Sequence, residues 1–107
     1  MPLKFYALPA LQAKLVELND GQTHGFVANT RNLLESTRYG KKPNRSYLSR
    51  VISSNQGASQ KLALNLVRIA EGSLGLSYSD AMRRSDKWFD VEASSVGTAT
   101  KRGDSNV

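Results

Sequence analysis

The chain has 107 residues, 39% hydrophobic and 22% charged, with a net charge of +6 and no cysteine. These totals describe one small globular domain and exclude disulfides and thiolate metal sites. No run approaches the ~20 apolar residues that span a bilayer, and Met1-Pro2-Leu3-Lys4 does not open a signal peptide, so a cytoplasmic protein without a membrane segment is expected.

Leu8, Leu11, Leu15 and Leu18 recur at steps of three and four residues, and Pro9 suits a first helical turn. The spacing predicts a helix over residues 9–19, ended by Asn19-Asp20-Gly21. A hairpin competes with it, because Lys14–Leu18 and Thr23–Val27 flank the turn-like Asn19-Asp20-Gly21-Gln22. The loop Gly21-Gln22-Thr23-His24-Gly25 matches no phosphate-binding pattern. His24, the only histidine, has no partner at metal-ligand spacing.

A second helix is expected from about Val27 to Arg38, burying Val27, Leu33 and Leu34 and stopping at Tyr39-Gly40. Lys41-Lys42-Pro43 bridges to the stretch with the sharpest division of faces, Asn44 to Ser54. At the helical period Leu48, Val51 and Ile52 fall on one side, with Tyr47 at the margin. Arg45, Ser46, Ser49, Arg50 and Ser53 fall on the other. Pro43 marks the start, and Asn44 or Ser46 can cap the first turn, where free N–H groups favour phosphate.

The charge is concentrated here. Residues 31–50 hold Arg31, Arg38, Lys41, Lys42, Arg45 and Arg50 against Glu35 alone, while residues 1–30, 73–90 and 91–107 each balance to zero. A cationic amphipathic helix is most often a solvated face over a core. With residues 51–72 adding only +1, nearly all the excess lies in twenty residues around one helix, which points instead to a polyanion.

Asn55-Gln56-Gly57-Ala58 is a turn, and Ser59 is a good N-cap for a helix over residues 60–71. Its wide apolar arc, Leu62, Leu66 and Ile69 broadened by Ala63, Val67 and Ala70, is that of a central core helix. Ser77 or Ser79 can cap a last helix over about Asp80–Asp90, with Trp88 and Phe89 as a plug on the core or a partner-binding patch. From Val91 onward the composition is that of a disordered tail. Its Arg102-Gly103-Asp104 tripeptide carries no weight in a chain with no secretion signal. The expected fold is therefore all-α: a compact bundle of about five short helices in residues 1–90, followed by a disordered tail over 91–107.

The run Arg45-Ser46-Tyr47-Leu48-Ser49-Arg50-Val51-Ile52 resembles the recognition helix of lambda-repressor-like helix-turn-helix regulators of the Cro and Xre type. The similarity extends through the polar turn at Asn55–Ser59 and the core helix Leu62–Ala70, and covers about residues 44–76. It departs from the family upstream: Ser36 stands at the family's alanine position, and the connection after Gly40 is longer by about two residues and contains Pro43. The resemblance implies a helix-turn-helix-like unit in which Asn44, Arg45, Ser46, Ser49 and Arg50 meet base edges or phosphates in the major groove. It implies backbone contacts from Gln56, Gln60 and Lys61, and the basic residues Arg38, Lys41 and Lys42 join the expected interface. Arg45 and Arg50 become the expected base readers, because arginine donates two hydrogen bonds to guanine.

The expected function is sequence-specific binding of double-stranded DNA by a small transcriptional regulator, as a homodimer and with no cofactor, metal or small-molecule ligand. RNA is the weaker expectation, since the basic region offers only Tyr39 and Tyr47 for stacking. The alternative is a small helical interaction module, adaptor or inhibitor, that binds a partner protein through the basic face or through Trp88 and Phe89. No nucleophile–base pairing is written in the chain, so an enzyme is not expected.

Overall fold

In a computed structural model, the structure describes residues 3–37 and 43–93. The chain opens with a strand, β1 (Leu3–Ala7), followed by α1 (Pro9–Leu18), α2 (Phe26–Ser36), α3 (Arg45–Ile52), α4 (Gln60–Glu71) and α5 (Tyr78–Arg84). A single 3-10 turn, Ser85–Lys87, leads to a closing strand, β2 (Phe89–Ala93). The five helices among the described residues match the expected number. The two strands do not belong to an all-α fold, and they correct that expectation.

The strands pair antiparallel, with Phe5 opposite Val91 and Ala7 opposite Phe89. Phe5 and Phe89 are buried and meet edge to face, their ring centroids 6.0 Å apart. On the other face of the sheet Lys4 lies opposite Glu92 and Tyr6 opposite Asp90, and opposite charges across a pair favour this register. The expected last helix therefore ends early, at Arg84, because Phe89 joins β1 instead of continuing the helical turn. Val91, Glu92 and Ala93, which composition places in the tail, are strand residues. The remainder of that tail, 94–107, lies outside the described residues.

α1 excludes the hairpin. Pro9 occupies its first turn, Leu11 and Leu15 are fully buried, and the helix runs unbroken to Leu18. Asn19 then organises the loop, its Nδ2 donating to the carbonyls of Gln22 at 2.8 Å and His24 at 3.0 Å. α4 is the central helix, with eight of its 12 residues buried. Ser59 caps its start by accepting from the Leu62 N–H, and Gly72, at φ 74°, ends it in the left-handed conformation that glycine adopts without strain.

Polar groups fasten α4 to α5 and to Trp88. Asn65 is fully buried, donating to the Lys61 carbonyl and to Tyr78 Oη and accepting from Arg68 Nη1. Arg68 in turn donates through Nε to the Leu76 carbonyl and stacks 4.5 Å from the Tyr78 ring centre. At the end of α4, Glu71 accepts from Trp88 Nε1 at 2.9 Å and pairs with Lys87 at 3.3 Å and Arg84 at 3.4 Å. The indole hydrogen bond foremost, then Lys87 and Arg84, hold the Glu71 carboxyl below its ordinary pKa against the opposing effect of burial.

A carboxyl with a lowered folded pKa contributes stability above its unfolded pKa and loses it as pH falls through the folded value. Glu71→Gln is therefore expected to lower stability at pH 7. The gap to the native chain should close as acid protonates the carboxyl, below the ordinary carboxylate range. Urea unfolding followed by Trp88 fluorescence at pH 7 and pH 3 measures both values, and a gap of equal size at the two would contradict the assignment.

Candidate nucleic-acid interface

The face of α3 is set by its own eight residues and by what lies behind them. Asn44 starts the helix, its Oδ1 accepting from the Tyr47 N–H at 3.0 Å. Leu48 and Val51 are fully buried and Ile52 is 3% exposed, so one side is locked into the core. The opposite side presents Arg45, Ser46, Ser49 and Arg50, all exposed. The division expected from the sequence is the division in the fold.

One further contact holds α3 in place, and another closes the helix before it. Arg31 of α2 donates through Nε to the Pro43 carbonyl at 2.8 Å, bridging the long connection between the two helices. Thr37 closes α2 by donating from Oγ1 to the Leu34 carbonyl at 2.7 Å. In the sequence Arg31 stands out only as a charge. A contact twelve residues along the chain leaves no local signal.

Arg45, Ser46, Ser49 and Arg50 line an open cleft of about 510 Å³ whose far wall is Val27, in the first turn of α2. That helix starts at Gly25 (φ 82°) with no side-chain cap, and its first turn borders the same cleft through Val27. The cleft thus collects two guanidinium groups, two hydroxyls and a helix N-terminus. Each of these groups donates hydrogen bonds or attracts negative charge. No local pattern in the sequence shows that Val27 stands opposite α3.

The other expected contact residues fall in different places. Asn44 is exposed, but its Oδ1 is engaged in the cap. Gln56 is half-buried in the turn after α3, where its Oε1 accepts from Arg50 Nε at 2.9 Å. Lys61 is exposed on the first turn of α4. Gln60 lines a separate cleft with Leu64, Tyr78, Ser79, Met82 and Arg83, and is not grouped with the α3 front. Arg38, Lys41 and Lys42 lie outside the described residues.

The aromatic pair offered as a partner-binding patch is largely taken up by the fold. Phe89 is 1% exposed, and Trp88 is half-buried with its Nε1 bonded to Glu71. Among the described residues no three acidic or histidine side chains gather as a metal site, and no helix is long and apolar enough to cross a membrane.

Adjacent positions on α3 give a direct check of its two faces. Leu48→Ala is expected to cost about 2–5 kcal/mol, through lost burial and a cavity, whereas Ser49→Ala should stay within about 0.5 kcal/mol of the native chain. Denaturant midpoints of the two variants measure the contrast. Comparable losses at both positions would mean that the exposed face also supports the fold.

No family model matches the chain, and neither a curated protein nor a solved structure does.

Proposed function

We propose that the chain binds double-stranded DNA and reads its sequence by laying the front of α3 in the major groove, as a small transcriptional regulator. The observation that carries this reading is the α3 helix itself: Arg45, Ser46, Ser49 and Arg50 exposed together, over a back of Leu48, Val51 and Ile52 sealed into the core. A helix of this kind fits the width of the major groove, and its arginines match the paired acceptors O6 and N7 of guanine.

Two features support the reading further. The N-terminus of α2 borders the same cleft, in the position from which a helix dipole attracts a backbone phosphate. The sequence of α2, a connection over residues 37–44, α3, a polar turn and a core helix has the order that the resemblance to lambda-repressor-like regulators implies. In that reading the unit is a helix-turn-helix with a lengthened turn, acting in the cytoplasm. A homodimer would place two copies of α3 about 34 Å apart, one helical turn of DNA, on a pseudo-palindromic site.

Binding of the full chain to random duplex DNA, followed by fluorescence anisotropy across a salt series, tests the proposal. The expected result is a log–log slope of several units, one for each phosphate contact. On a site selected from a random library, Arg45→Ala and Arg50→Ala should each cost about 1–3 kcal/mol and relax base preference, with circular dichroism unchanged. Absence of binding at low salt would overturn the proposal, and the search would pass to an acidic protein partner for the same face.

A further inference from the structure

The loop after α3 is held more firmly than a surface turn requires. Ser54, at φ 69°, sits in a left-handed conformation that serine rarely adopts, and it reverses the chain at the end of α3. The Asn55 N–H then donates to the Arg50 carbonyl at 2.9 Å, and Ser53 Oγ donates to the same carbonyl at 3.1 Å. Farther along the turn, Ala58 exchanges both backbone hydrogen bonds with Phe5 of β1, at 2.8 and 3.0 Å. Between these fixed points, Gly57 lies flat against β1. A Cβ there would stand 3.0 Å from the Tyr6 ring and 3.1 Å from Lys4 Cβ, a tight fit that would make those neighbours give by a few tenths of an ångström.

Gln56 is the residue suspended between these anchors, and its Oε1 takes the Nε–H of Arg50. We propose that Gln56 is a positioning residue that sets the orientation in which Arg50 meets a base pair, and so a determinant of sequence preference. The inference rests on the reading of α3 as a DNA-contacting helix and deepens it by assigning a role behind the contact.

The physical argument concerns freedom. An arginine on an open helix face visits many rotamers, and a contact with DNA must immobilise them. A partner at Nε in the free protein removes part of that freedom beforehand. It also selects the edge of the guanidinium that is left: with Nε engaged, Nη1 and Nη2 remain as the outward pair of donors. That end-on pair is suited to the O6 and N7 acceptors of one guanine. Water competes for a hydrogen bond at the surface, so the acceptor has to be held in place by something else. The bracing of residues 57 and 58 against β1 does this.

The test compares the full chain with Gln56→Leu and Gln56→Glu on a library of random duplexes. Gln56→Leu removes the acceptor at nearly constant size. It is expected to lower the preference at one G·C pair about tenfold, while the salt slope, set by charges that all remain, is kept. Gln56→Glu restores an acceptor at the same reach and should recover that preference, although its charge weakens binding to every duplex. A Gln56→Leu chain with unaltered preference at every position overturns the proposal, as does a lost preference that Gln56→Glu fails to restore.

A second measurement needs no DNA. In nitrogen-15 spectra of the free protein, the Arg50 Nε–H should exchange with water more slowly in the native chain than in Gln56→Leu. Equal exchange rates would show that no clamp exists, whatever the chain binds. A clamp seen in the free protein together with no binding to any duplex would instead overturn the DNA-contacting reading, and with it the role in base preference.

Discussion

The pairing of β1 on both of its edges is the constraint that the rest of this fold depends on. One edge takes β2, which brings residues 89–93 back to the start of the chain, and the other takes Ala58 in the turn after α3. The side chain between them, Phe5, is fully buried against Phe89. Five residues therefore tie together the beginning of the domain, its end and the loop that closes α3. A two-stranded ribbon is marginal alone. Here the helices seal its apolar face, and the Leu8 N–H extends the ladder by donating to the Trp88 carbonyl at 2.8 Å.

That constraint reaches the end of α4 as well. Because Phe89 is claimed by the strand, Trp88 is drawn over the end of α4, where Glu71 receives its indole N–H and two cations. A carboxylate with three donors around it, on a side chain 11% exposed, is a fixed point rather than a solvated charge. The chain thus closes twice on itself, once through apolar rings at Phe5 and Phe89 and once through a polar clasp at Glu71.

The helices are legible in the sequence because each carries its own local signature. The leucine spacing of α1, the Asn44 cap and split faces of α3, and the Ser59 cap and wide apolar arc of α4 are short-range patterns. The strands are harder to see, although Phe89-Asp90-Val91-Glu92-Ala93 alternates apolar and polar residues at the period of a half-buried strand. Its partner lies more than eighty residues away, and the aromatic pair Trp88-Phe89 beside a helical segment resembles a helix end. The α3 front is legible for the same reason as its helix. Its surroundings are not: Val27 across the cleft, Arg31 on the Pro43 carbonyl and Gln56 on Arg50 are joined to it only by folding.

An eight-residue helix has too few turns to hold itself together in water. α3 exists because Leu48, Val51 and Ile52 are buried, Asn44 caps its start, and Arg31 holds the carbonyl just before it. None of those contacts uses Arg45, Ser46 or Ser49. The stability of the helix and the chemistry of its exposed face are therefore carried by separate sets of side chains, so the face can change without undoing the fold. Arg50 is the exception, because it is tied through Gln56 to a turn that β1 holds. Its direction, unlike that of Arg45, Ser46 and Ser49, is constrained by a side-chain hydrogen bond to the fold itself. A surface that discriminates between sequences needs at least one donor whose direction is settled before the partner arrives.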